Sequence, residues 1–242
     1  MKALDALLGE LVGRGHRGMV LGLDRTLAAA RALGDPHRDL PVLHIAGTNG
    51  KGSVSAMLER IAHEAGLKAG LYTSPHLVRF AERIRLSGEP IADDAFAEAL
   101  GRVLRDAPAE LTFFETLTLA AFVAFRDAGL DVVVLEVGLG GRLDSTNIVE
   151  RPLATAVVSI TEGEGGRWLE HGDLLGADIE TIAREKAGIA KPGVPLVLGP
   201  LSPEARGAIL DVARAASAGP VWSVDDEIHL ERASGRATLP NG

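Results

Sequence analysis

Residues Leu43 to Ser53 read LHIAGTNGKGS. An apolar run of strand length breaks into three glycines, a lysine and a serine, and a helical pattern follows. Strand, glycine loop and helix in that order form a phosphate cradle, because glycines let backbone N–H groups converge on an anion while the helix start adds its positive dipole end. Gly47, Thr48, Asn49, Gly50, Lys51, Gly52 and Ser53 are the candidate nucleotide-binding residues. Lys51 is expected to contact the outer phosphates, and the Ser53 hydroxyl to reach a magnesium ion bound to them, as the serine or threonine of a P-loop does. The spacing differs from GxxxxGK[ST], since Gly52 separates the lysine from the hydroxyl residue. The residues of this loop alone also fit a glycine-rich turn with no ligand.

Outward from this loop, short apolar runs alternate with longer helical patterns, which predicts stacked βαβ units and a mostly parallel sheet. Strands are expected near Val42 to Ala46, Ala69 to Tyr72, Val132 to Val137, Thr155 to Ile160 and Pro195 to Leu198. Helices are expected from Lys51 to Ala65, Asp93 to Ala107, Glu115 to Ala128, Asp178 to Ala187 and Pro203 to Ala216. The run DVVVLEVGLGG is uniformly apolar before Glu136, as a central strand covered on both faces requires. In such sheets ligands sit beyond the carboxyl ends of the strands, where both the glycine loop and Glu136 fall. The stretch TEGEGGR from Thr161 to Arg167 reads as an exposed loop.

The chain has 242 residues, 46% hydrophobic and 24% charged, enough for one large domain with a sizeable core. A net charge of −8 leaves no basic stripe to neutralise the phosphates of a duplex, which argues against a nucleic-acid partner. Without cysteine there is no disulfide framework, thiolate metal site or cysteine nucleophile. The first 18 residues lack the apolar core of a signal peptide, and no apolar run of about 18 residues follows. The expectation is a soluble, cytoplasmic chain with no membrane partner.

Several polar residues interrupt apolar segments. Glu136 closes a buried strand, where an unpaired carboxylate is costly unless a cation meets it. Magnesium suits carboxylate, hydroxyl and phosphate oxygens; a salt bridge to Arg142 is the alternative. Ser74, in TSPH, follows the second expected strand at the same sheet edge, as a metal-reaching hydroxyl or a turn residue. His171, in LEHGDLLG, is a loop histidine that could ligate metal or be solvated. Lys186, in REKAGI, sits among apolar residues, and its ordinary reading is an ion pair with Glu185 or a snorkelling surface lysine.

Taken together, AGTNGKGS, TSPHLVRFAERIR, FFETLT, LEVGLGGRLDSTN and REKAGI, in this order and separation, resemble the folylpolyglutamate synthase and dihydrofolate synthase family within the Mur ligase superfamily. The match runs from about Gly22 to Gly199. The resemblance implies a P-loop NTPase-like α/β fold of the Mur ligase central-domain type. It also implies an ATP-dependent ligase that converts a pterin carboxylate into an acyl phosphate and joins it to L-glutamate. By resemblance Ser74, Glu136 and His171 hold magnesium, with two ions expected, and Lys186 is the position of a carbamylated lysine, which with Lys51 would serve catalysis. Carbamylation needs the neutral amine, which partial burial favours.

The resemblance also implies pterin contacts from Asp24, Arg25 and Thr26 in GLDRT, from Phe113, Phe114 and Glu115 in FFE, and from Leu143, Asp144 and Ser145. Aromatic stacking beside a carboxylate suits a flat heterocycle, while Phe113 and Phe114 read equally as core residues. The link SITEGEGGRWLEH is longer than the family's and carries Glu170 where the family has aspartate. Family members run on well past the end of this chain, so residues 1–242 are expected to be the ATP-binding domain, short of its last strands and of a C-terminal Rossmann-like domain. The expected partners are small molecules, ATP, pterin and glutamate, with the protein a monomer. A truncated non-catalytic ATP-binding fragment and a cell-wall Mur-type amino-acid ligase are the alternative readings.

Overall fold

The structure, a computed structural model, describes residues 2–17, 20–107, 110–161, 178–224, 229–231 and 236–238. Its centre is the strand β1 (Val42–Ala46), flanked by β5 (Val132–Glu136) and β6 (Ala154–Val157), both parallel to it. β5 is buried at all five positions, as its unbroken apolar run requires. The sheet extends in the order β4-β3-β2-β5-β1-β6-β7-β8, with β2 (Ala69–Tyr72), β7 (Leu196–Leu198) and β8 (Val221–Ser223) continuing the parallel set. β3 (Ile84–Leu86) and β4 (Glu89–Pro90) add an antiparallel edge through a turn at Ser87 and Gly88, both at positive φ. A separate two-stranded ladder pairs β9 (His229–Glu231) with β10 (Arg236–Thr238).

The helices are α1 (Lys2–Gly13), α2 (Asp24–Ala32), α3 (Lys51–Glu64), α4 (Asp93–Asp106), α5 (Phe113–Ala128), α6 (Ile179–Ala187) and α7 (Pro203–Ala215). Buried residues of α1, α2, α4 and α5 share one core with Tyr72, Ile84, Val133 and Leu135 of the sheet. α5 is buried from Glu115 to Phe125 and apolar almost all round, the pattern of a helix inside a layer. Phe122 and Phe125, both fully buried there, each stabilise the fold by about 1.5–3 kcal/mol. α6 and α7 cover the β6–β7 side, and α3 lies over Ile45, Leu71 and Val134. No helix among the described residues is long and apolar enough to cross a membrane.

The chain leaves β1 through α3 toward β2 on one side and leaves β5 toward β6 on the other. The carboxyl ends of β1 and β5 therefore flank a crevice, the point at which such sheets bind ligands.

Candidate functional site

The loop after β1 is shaped by the segment that follows β6. Thr48 N donates to Ser159 O at 2.7 Å, Asn49 N to Ser159 Oγ at 3.2 Å, and Asn49 Nδ2 to Thr161 Oγ1 at 3.0 Å. Gly47 makes that approach possible: it sits at φ +153°, and a Cβ there would lie 3.2 Å from Ser159 N. Gly50, at φ +78°, turns the chain into α3, whose first turn no side chain caps. An uncapped helix start with a lysine beside it is an anion site. Lys51 Nζ donates to the carbonyls of Gly47 (3.0 Å) and Thr48 (3.1 Å), folded back over the loop it would leave to meet a phosphate.

Glu136, at the end of β5, aligns with Ile45 of β1 and is 4% exposed. Ser74 N donates to its Oε2 at 3.0 Å. Burial raises its pKa; the Ser74 N–H, Lys51 and Arg83 oppose that rise, and Asp144 adds to it. Gly52, in the first turn of α3, faces the carboxylate, and a Cβ there would stand in ordinary contact 3.6 Å from both oxygens. A divalent cation fits this setting, because it would offset the burial of the carboxylate and take the remaining oxygens from hydroxyls and phosphates. No three His, Asp or Glu residues cluster as a self-sufficient metal site among the described residues. The salt bridge to Arg142 does not form; Arg142 pairs with Glu185 at 2.7 Å. His171 lies outside the described residues.

Lys186 lies near the end of α6, is 5% exposed and donates from Nζ to Gly47 O at 2.9 Å. The reading of an ion pair with Glu185 is corrected: Glu185 is turned outward to Arg142, while Lys186 points inward to the glycine loop. Gly47 O thus accepts from both lysines.

Beside Lys51 and Ser74 opens a cavity of about 370 Å³. Phe113, Phe114, Glu115, Leu143, Asp144 and Ser145, expected together from the sequence, all line it. Val20, Leu21 and Gly22 line it where Asp24, Arg25 and Thr26 were expected, because those three form the first turn of α2 and Thr26 is buried. Arg25 Nη2 reaches Glu115 Oε1 at 2.9 Å and Val20 O at 2.7 Å. Glu115 also closes a capping box, accepting from Thr112 N at 2.7 Å while the Thr112 hydroxyl accepts from Glu115 N at 3.3 Å. Asp144 accepts from Leu139 N (2.9 Å), Thr146 N (2.9 Å) and Thr146 Oγ1 (2.5 Å), and burial raises its pKa. Ser145 Oγ donates to Thr118 Oγ1 at 2.9 Å. Glu115, Asp144 and Ser145 thus hold the shape of the wall that Phe113 and Phe114 make apolar.

Arg83 is the residue the sequence reading passed over. It is 7% exposed, lines the cavity, donates from Nε to His76 Nδ1 at 2.9 Å and stands 5.6 Å from the centre of the Phe113 ring. The word TSPHLVRFAERIR contains it, but a single arginine near a strand carries no sign of burial.

A glycine loop at the first parallel strand, a lysine on the helix it opens and a buried carboxylate on the neighbouring strand define a P-loop-type α/β fold. A comparison with protein-family models finds no match. The chain is 45% identical over 195 residues to the dihydrofolate synthase/folylpolyglutamate synthase of Escherichia coli K12, covering 80% of this chain and 44% of that protein. It superposes with a TM-score of 0.83 and 39% identity on E. coli FolC in complex with DHPP and ADP, covering 95% of this chain and 53% of that one. The bifunctional enzyme of Yersinia pestis complexed with AMPPNP and Mn gives a TM-score of 0.86 at 37% identity, over 99% and 56%. Over the matched stretch the chain belongs to the folylpolyglutamate synthase/dihydrofolate synthase family. It spans about half the length of these relatives.

Proposed function

We propose that this chain is the ATP-binding part of a cytoplasmic, monomeric ligase that joins L-glutamate to a pterin carboxylate, dihydropteroate or a reduced folate. The observation that carries the reading is that one cavity is lined both by Lys51 and Ser74 and by Phe113 and Phe114. A nucleotide's outer phosphates on the glycine loop and an aromatic acid against the phenylalanines would meet there.

ATP, the acceptor carboxylate and glutamate are all anionic, so the work of the site is positioning and charge compensation. The α3 start and Lys51 bind the phosphates. Lys51 exchanges its bonds to Gly47 O and Thr48 O for bonds to the γ-phosphate, and orients that group toward the cavity. Phe113 and Phe114 exclude water and hold the acceptor flat. Glu136, with the hydroxyls of Ser74 and Ser53, would hold a magnesium ion, and Lys186, carbamylated, would serve a second; bound there, magnesium would offset phosphate charge during transfer. The γ-phosphoryl passes to the acceptor carboxylate, ADP leaves, and the glutamate amine displaces phosphate from the acyl phosphate to form the amide.

The test is mass spectrometry of small molecules after incubation with magnesium, ATP, L-glutamate and either dihydropteroate or tetrahydrofolate. A product heavier by one glutamyl residue, with ADP, supports the reading and names the acceptor. Absence of both product and ADP, with no binding of ATP, overturns it. ADP without product assigns activation alone to these residues.

A further inference from the structure

The turn from Gly138 to Ile148 forms one wall of the cavity, and the end of α6 carries Lys186 to the glycine loop. Asn147 and Gly188, 41 residues apart in sequence, tie these segments together directly. Asn147 is 4% exposed, and its Nδ2 donates to Arg142 O at 3.0 Å and to Gly188 O at 3.1 Å, one carbonyl on each segment. Its own backbone carbonyl accepts from Lys191 Nζ at 3.2 Å, and Arg142 N donates to Glu185 O at 2.8 Å. Two glycines let the backbones touch: a Cβ on Gly141 would lie 2.8 Å from Lys186 O, and one on Gly188 would overlap Arg142. Segments packed this closely and tied by hydrogen bonds form a clamp and move together, because a close-packed contact transmits strain.

At one end, the clamp presents Leu143 and Asp144 to the cavity. At the other, Lys186 Nζ holds Gly47 O, the carbonyl on which Lys51 also rests. We infer that Asn147 is a positioning residue that locks the cavity wall to the lysine on the glycine loop, so that acceptor binding and nucleotide binding strengthen one another. The inference rests on the function proposed above. A displaced wall moves Lys186, and a loop rearranged around phosphate pulls on the wall. By linkage the effect is reciprocal.

The test is calorimetric titration of the whole chain with pteroate, in magnesium, with and without a non-hydrolysable ATP analogue. The wild type is expected to bind pteroate at least about fivefold more tightly with the analogue present. Asn147→Ser, whose single short donor cannot span both carbonyls, is expected to bring that ratio close to one while each ligand alone still binds. Loss of shape alone would weaken each ligand separately and leave the ratio unchanged. Arg142→Ala leaves the backbone contacts in place but removes the outer ion pair to Glu185 that joins the same two segments, where the Arg142 side chain is 54% exposed, and is expected to lower the ratio without disturbing the fold. A ratio of one in the wild type, or an undiminished ratio in both variants, overturns the inference. If the wild type binds neither ligand, the proposed function itself has failed.

Discussion

Replacing Glu115 by glutamine separates a scaffolding role from a ligand contact. The carboxylate pairs with Arg25, the two side chains being 5% and 29% exposed, and also receives Thr112 N and Thr26 Oγ1. Glutamine keeps an oxygen for the helix cap but removes the charge. Exposed ion pairs contribute about 0.2–1 kcal/mol, and breaking a buried pair costs about 3–5 kcal/mol. A pair with one buried and one part-exposed partner falls between, at about 2 kcal/mol, and in a chain of this size that lowers Tm by about 4–8 °C. Thermal unfolding of the wild type, Glu115→Gln, Arg25→Met and the double variant measures it, and the two singles are expected to be non-additive by most of that amount. An unchanged Tm in Glu115→Gln, with only ligand affinity reduced, would refute the assignment of this carboxylate to the scaffold.

Other outcomes follow from close approaches and from a buried histidine. A methyl on Gly138 would run into the ring of Phe114, so Gly138→Ala is expected to displace that ring and weaken acceptor binding about tenfold or more by calorimetry, with nucleotide binding retained. A methyl on Gly199 would overlap Val158 O, backbone that cannot yield, so Gly199→Ala is expected to lose about 3 kcal/mol in urea unfolding. His44 is fully buried, with Nε2 2.8 Å from Thr146 Oγ1, and burial, aided by Lys191, lowers its pKa to about 3. Between pH 6.5 and 3 the unfolded chain binds the proton that the folded chain refuses, so stability falls with falling pH. The loss is about 2 kcal/mol from pH 6.5 to 5, and His44→Gln is expected to remove it when urea midpoints are compared at the two pH values.

Much of the fold was legible because its strands are buried runs and its helices start at readable signals. LHIA before GTNG gave β1 and α3, and VVVLE gave β5. The edge was not legible: Ile84–Leu86 and Glu89–Pro90 are too short to show alternation, although Ser87-Gly88 between them is a hairpin signal. α1 is legible in principle, since Leu4, Leu7, Leu8 and Leu11 recur at helical spacing, and the absence of a signal-peptide core says nothing against it. At the site, position along the chain put Lys51, Ser74 and Glu136 at one sheet edge, while the Phe113–Phe114 wall was expected only from the resemblance, since the residues alone read equally as core. What sequence could not give was direction: whether Lys186 faces Glu185 or the glycine loop, and whether Arg25 faces the cavity or Glu115, depends on how helices seat against the sheet.

The central claim is that the glycine loop and Glu136 form one site for magnesium and nucleotide. Calorimetric titration of a non-hydrolysable ATP analogue into the wild type, Lys51→Ala and Glu136→Gln, each with magnesium and with chelator, tests it most directly. Binding to the wild type, weakened about 10- to 100-fold by loss of the charged lysine contact, and a magnesium dependence that disappears in Glu136→Gln, is the predicted result. Equal affinity in the wild type and Lys51→Ala, or a magnesium dependence that survives in Glu136→Gln, would contradict it.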